Sequence, residues 1–148
     1  MSTRQMRRLC LFALSLVILI GGALHGQVYR WDTAEKISDT VPEPYADFGD
    51  QILDYAALDG LDLYCACFER ASLVSAHLMG SDLRRARFDM ATLTNTYLSD
   101  AIVQWACFTS TTDSGFTAAQ LYSTASYQNN DLTGIDLSSN DMSAWNFA

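Results

Sequence analysis

A five-residue side-chain period constrains this chain more than any other feature. Positions 53, 58, 63, 68, 73, 78, 83, 88, 93 and 98 are all Leu or Phe, and Val103 and Phe108 continue the series. Within it, Phe48, Phe68, Phe88 and Phe108 recur every twenty residues, each preceded two positions earlier by alanine (Ala46, Ala66, Ala86, Ala106). The same slot before the other large residues is usually small, as at Ala56, Ala71, Ala76, Ser81, Ala91, Thr96 and Ala101. Five fits neither the 3.6-residue period of a helix nor the two-residue period of a strand. A helix would smear these leucines around its cylinder, and a strand would send alternate ones to opposite faces. The pattern demands a backbone that turns a corner every five residues, pointing one large and one small side chain inward each time. A twenty-residue recurrence then means four corners per lap, with laps stacked about 4.8 Å apart as hydrogen-bonded strands are.

Units such as Ala46-Asp47-Phe48, Ala71-Ser72-Leu73, Ser81-Asp82-Leu83 and Ala86-Arg87-Phe88 resemble the pentapeptide-repeat family, whose units read roughly Ala-(Asp/Asn)-Leu-x-x. Thirteen consecutive units from 46 to 110 hold register without a gap. The resemblance implies a mainly β fold, a right-handed quadrilateral β-helix (a solenoid). An N-terminal signal helix and one short inserted α-helix complete the expected fold.

The chain divides into five stretches. Residues 1–26 read as a secretory signal: Arg4, Arg7 and Arg8 precede an apolar run from Leu9 to Ile20, and small residues follow. That run is short for a membrane span, which needs about 20 residues, so cleavage after Ala23 or Gly26 is expected; counting Gly21 to Leu24 lengthens it, and an uncleaved anchor is the alternative. A bacterial secreted, periplasmic or cell-envelope location is expected, with no membrane contact beyond the signal segment. Removing 1–26 leaves six basic and 17 acidic residues, a net charge of 6 − 17 = −11. That charge disfavours phosphate backbones and anionic lipid, so no nucleic-acid partner is expected. Residues 27–45 break the period and read as an N-terminal cap, with Tyr29 and Trp31 covering the open first coil. Residues 46–110 form the main repeat block. Residues 111–126 read as a loop and a helix from Ala118 to about Ala125. Thr117 and Gln120 form its capping box, and Phe116 staples onto Leu121. This segment is similar to a helical insert of secreted bacterial pentapeptide-repeat proteins. Residues 127–148 resume the period at Tyr127, Leu132, Leu137, Met142 and Phe147 as a second, incomplete block. No closing cap is visible there, so end-to-end self-association is expected of an exposed last strand.

Stacking at twenty-residue intervals also places outer residues. Cys65, Arg85 and Trp105 share a column, predicting a cation–π contact between the last two, and Glu69 lies over Asp89 with Arg70 beside them. Arg84, Arg85 and Arg87 form the one basic cluster of the repeat block, and with Trp105 they are the candidate surface-contact residues. Tyr64 and Tyr97 are further outer aromatics. Cys67 and Cys107 lie two laps apart, about 9.6 Å by strand spacing, beyond the roughly 7 Å that a disulfide tolerates. The cysteine spacing lacks the usual Cys-x-x-Cys pair, so no metal is expected. Asp131, Asp136 and Asp141 recur every five and face different sides, which argues against a shared calcium site.

His77 is the one histidine outside the signal, and no nucleophile motif, phosphate loop or metal dyad appears. The expectation is therefore a protein that is not an enzyme, has no cofactor and makes a structural or protein-binding surface for an unknown protein partner. One alternative follows from the resemblance, since some family members are acidic rods that mimic DNA and bind a topoisomerase. A second alternative is a carbohydrate or small-ligand binding module using the outer aromatics.

Overall fold

The structure is a computed structural model that describes residues 26–147. The signal segment, apart from Gly26, lies outside the described residues, as does Ala148. Its organising element is a parallel ladder of single bridges, each joining a residue to the one twenty positions on: Asp47 to Cys67 to Arg87 to Cys107, Ile52 to Ser72 to Thr92, Ala57 to His77 to Tyr97, and Asp62 to Asp82 to Ile102. Phe48, Phe68 and Phe88 each donate their N–H to a carbonyl of the next lap (Cys67, Arg87, Cys107) at 2.7 Å. Cys67, Arg87 and Cys107 return the bond to Ala46, Ala66 and Ala86 at 2.9 Å. This even, reciprocal pattern is that of parallel strands, cut into pieces one bridge long.

The pieces are cut by turns. Ala56, Ala66, Ala71 and Ala76 donate N–H to the carbonyl three residues back (Leu53, Leu63, Phe68, Leu73) at 3.0 Å. The third residue of each turn has positive φ, the geometry of a type II turn. Eleven of the thirteen corners from Asp50 to Ser110 carry a side chain at φ between 55° and 63°; Gly60 and Gly80 take the other two. Each non-glycine corner costs roughly 1–2 kcal/mol, offset by the inward pair it creates. The residue after each corner points inside where two walls meet, and only a small side chain fits. Ala56, Ala66, Ala71, Ala76, Ala86, Ala91, Ala101 and Ala106 are fully buried there. Two polar residues share that slot. The Ser81 and Thr96 hydroxyls donate to the Leu58 and Leu73 carbonyls of the preceding lap at 2.7 Å, so neither is left unsatisfied in the core.

The large inward residues make columns. The rings of Phe48, Phe68, Phe88 and Phe108 stack with centroids 4.9–5.0 Å apart and planes within 8° of parallel. Leu53, Leu58, Leu63, Leu73, Leu78, Leu83, Leu93 and Leu98 fill the remaining walls and are buried. At about 1.5–3 kcal/mol for each buried side chain, these columns are the principal source of stability. The fold is β-helix-like, although its ladder is made of single bridges rather than long strands.

The two ends differ from expectation. At the first, β1 (Val28–Tyr29) and β2 (Lys36–Ser38) form a short antiparallel hairpin. It docks through an antiparallel bridge from Arg30 to Ala56 and bonds from Trp31 N–H to Tyr55 and from Ala57 N–H to Tyr29. Val28, not Tyr29 or Trp31, is the residue buried over the core. Trp31 lies along a wall, stacked on His77 at 4.6 Å, and its Nε1–H donates to the Ser75 carbonyl. The alternation of β1 sends Val28 inward and its bulkier neighbour outward.

At the other end the insert holds two short α-helices, not one. A 3₁₀ turn at Thr112–Ser114 leads to α1 (Ala118–Tyr122) and α2 (Ala125–Gln128). Thr117 and Gln120 form the expected capping box. The helix stops because Ser123 and Thr124 turn their hydroxyls back onto the Gln120 and Leu121 carbonyls, and the Thr124 oxygen then accepts the Tyr127 N–H to start α2. Such short polar side chains compete with the helical backbone. Tyr127 therefore belongs to α2 rather than to a resumed repeat. Phe116 stacks on Phe108 at 4.6 Å and 5°, extending the phenylalanine pile from a neighbouring wall. Trp145 meets Phe116 edge-on at 5.6 Å, an aromatic cover that the sequence reading missed. The ladder then continues from Cys107 to Asp136, 29 positions apart rather than twenty. The surplus is the insert.

Candidate binding groove

The corner column that begins at Tyr45 runs through Cys65 and Arg85 to Trp105, each at positive φ, and so carries its side chains outward. The Tyr45 ring meets Tyr64 edge-on at 5.8 Å. Arg84 stands 5.9 Å from the Tyr64 ring, and Arg85 stands 5.7 Å from Trp105, the contact that the twenty-residue spacing predicts. Trp105 is 55% exposed. The long lap that carries the insert brings Asp131 and Thr133 against this column, with Trp105 N–H donating to the Thr133 carbonyl. The result is an open groove of about 580 Å³ between Tyr64, Arg85, Gln104, Trp105, Asp131 and Thr133.

The four candidate contact residues differ in what engages them. Arg84 grips Asp82. Arg87 bridges Glu69 and Asp89, so Arg87 rather than Arg70 joins that acidic pair; Arg70 instead binds Asp50 and Glu69. Arg30 and Lys36 hold Asp32 and Asp39. Arg85 is the one described cation with no carboxylate partner. Beside it, Gln104 Nε2 donates to Asp131 at 3.2 Å, while Gln104 Oε1 is closed off from water with no donor. The carboxylate can only accept, so the amide orientation is set by chemistry. Of the residues lining the groove, Tyr64, Arg84, Arg85 and Trp105 were legible from outer-column spacing. Gln104, Asp131 and Thr133 were not, because the 29-residue lap displaces the latter two from the register that would have aligned them. Tyr97 lies apart, edge-on to His77 on the wall that carries Trp31.

Trp105 itself rests on Gly134, where the backbone is left-handed (φ 67°) and any Cβ would fall inside the indole. Gly134→Ala is expected to lift the ring, shifting its fluorescence maximum and weakening the Arg85 contact, with the fold intact. An emission spectrum unchanged from that of the parent, against a Trp105→Phe control, would contradict this.

Several wall carboxyls are held below their ordinary range: Asp50 by the Arg70 guanidinium, Asp82 by Arg84, Asp32 by Arg30, and Asp131 and Asp136 by the hydroxyls of Thr133 and Ser138. A group whose value is lower in the folded chain stabilises it above the unfolded value, near 3.9, and loses that contribution as pH falls through the folded value. The melting temperature is thus expected to stay level from pH 8 to about 5 and to decline below about pH 4. These pairs are mostly exposed, so each effect is small. A decline beginning near neutrality would show that other groups dominate.

Cys67 and Cys107 flank Arg87 in one ladder row. Burial pushes the Cys107 thiol up, and it donates to Asp89 at 3.0 Å. Among the described residues no three His, Cys, Asp or Glu side chains converge to hold a metal, and no helix is long and apolar enough to cross a membrane.

Residues 76–112 match the family model described as pentapeptide repeats (8 copies). A solved pentapeptide repeat protein from the thylakoid lumen of Arabidopsis thaliana is 23% identical, with a TM-score of 0.22; the match covers 60% of this chain and 56% of that one. No curated protein matches the chain. The repeat match coincides with the most regular part of the ladder, whose register runs unbroken from Asp47 to Cys107, and residues 76–112 are a run of pentapeptide repeats.

Proposed function

We propose that this chain is a non-catalytic, secreted solenoid, wound right-handed with four walls, that serves as a structural and protein-binding surface. The supporting observation is the contrast on its exterior. Five of the six described Lys and Arg side chains are tied to carboxylates, whereas Arg85 stands out with Trp105 beside Tyr64 with no carboxylate attached. Trp, Tyr and Arg are the residue types that dominate binding energy at protein interfaces. The titratable groups lie along flat walls rather than converging on a cleft, which favours a passive surface over a reaction centre. The Arg4-Arg7-Arg8 start and its apolar run support export to the bacterial envelope or medium, and export separates the chain from cytoplasmic DNA-binding enzymes. Immobilised mature protein is expected to retain a specific protein from envelope or medium fractions, and Trp105→Ala is expected to abolish the capture. Capture unaffected by that change, or recovery of the mature chain in the cytoplasm, overturns this reading.

The groove beside Trp105 favours a second reading, a carbohydrate or small-ligand module. An exposed indole with a few polar groups around it is the usual make-up of a ligand site.

A further inference from the structure

We propose that the groove beside Trp105 binds an acidic saccharide, a sugar unit bearing a carboxylate. This rests on the second reading above and names the chemistry of its ligand. Three features of the groove are unmet, and one ligand class meets all three. The Trp105 indole presents a broad apolar face at 55% exposure, suited to the C–H face of a pyranose ring. Arg85 holds its guanidinium 5.7 Å from that face and has no carboxylate, in a protein whose other described cations all have one. A planar, always-charged fork recognises a carboxylate through two parallel bonds. Gln104 Oε1 is an acceptor without a donor. A small shift of this half-buried side chain brings it to a ligand hydroxyl, relieving a desolvated polar atom.

Other classes satisfy fewer of these demands. A neutral sugar leaves Arg85 unpaired. An inorganic anion leaves the indole bare and gives Gln104 no donor. A purely apolar ring answers neither polar group. Asp131, held by Gln104 and Thr133 on the opposite side, accepts hydroxyl hydrogens and disfavours a densely charged polyanion such as a phosphate chain. The groove is open at about 580 Å³, and Tyr45 continues the Trp105 column with its ring edge-on to Tyr64 of the adjacent one. It therefore suits one unit of a chain better than an engulfed small molecule.

The test is calorimetry on the mature chain with a tetrameric saccharide carrying one carboxylate (xylotriose bearing one glucuronate) and, as the neutral counterpart, xylotetraose, with melting curves verifying the fold of every variant. The acidic tetramer is expected to bind, at least tenfold more tightly than the neutral one, and to weaken with salt. Arg85→Gln is expected to weaken it about tenfold or more, as loss of a charge-assisted pair does. Arg84→Gln, whose side chain is already committed to Asp82, should have a smaller effect. Arg85→Lys should retain part of the binding. Equal affinity for the two tetramers, unmoved by Arg85→Gln, overturns the acidic assignment and leaves the saccharide reading standing. Absence of binding by both overturns the two together.

Discussion

Phe88→Asp is expected to unfold the central coils, while Thr94→Asp leaves the melting temperature within a few degrees of the parent. Phe88 is fully buried and sandwiched between Phe68 and Phe108, with centroids 4.9 Å away on both sides. The substitution removes a core aromatic, which alone costs about 3–5 kcal/mol. It also places a carboxylate among apolar rings with no cation in reach, a cost of several kcal/mol even after the group takes up a proton. The total rivals the whole stability of a domain this size, about 5–15 kcal/mol. Thr94 is exposed, and its hydroxyl makes one long 3.4 Å hydrogen bond, to the Ser114 carbonyl. Circular dichroism and thermal melts of the two variants check this, and equal melting temperatures would refute the assignment of inside and outside.

The second large effect is expected at Gly115. Its φ is 94°, and a Cβ there would lie 2.7 Å from Thr94 Cα and 2.8 Å from Thr94 N. These are backbone atoms in a hydrogen-bonded lap, so they cannot turn aside as a flexible side chain would. Gly115→Ala therefore combines a left-handed penalty of about 1–2 kcal/mol with an overpacking cost of about 1–3 kcal/mol. A loss of about 3 kcal/mol lowers the melting point by roughly 10 °C in a chain of this length. Gly60→Ala separates the two contributions. Gly60 is also left-handed, at φ 66°, but nothing lies within 4 Å of its added Cβ. It should show the conformational cost alone, about 1 kcal/mol. Equal losses at the two sites would mean that contact with the lap beneath Gly115 contributes nothing.

The repeat block was legible because its physics is local and repetitive. Each five-residue unit states its own turn and its own inward pair, so Leu53 through Phe108 could be placed from spacing alone. The wall residues followed at the level of columns, which is why Arg85 over Trp105 was expected. Their pairing was less legible. Arg87 and Arg70 both have acidic neighbours within reach, and side-chain geometry decides that Arg87 rather than Arg70 links Glu69 to Asp89. The ends were the least legible. Phe116 was expected beside Leu121 and is buried in the same core cluster, but its stack on Phe108 could not be read from spacing. Ser123 and Thr124 looked compatible with a continuing helix until their hydroxyls took the last carbonyls of α1. Asp131 and Thr133 reach the groove only because the insert lengthens one lap, and no local pattern announces where a longer lap returns.

The constant twenty-residue offset of the ladder has a mechanical consequence. Every bridge from Asp47 to Cys107 closes over the same length of chain, so tension applied to the two ends loads one lap at a time. Each lap that peels away should release about 66–72 Å of chain, from roughly 3.3–3.6 Å per residue. A single-molecule stretching trace would then show a comb of evenly spaced steps, and the lap that houses the insert would stand out as one longer tooth.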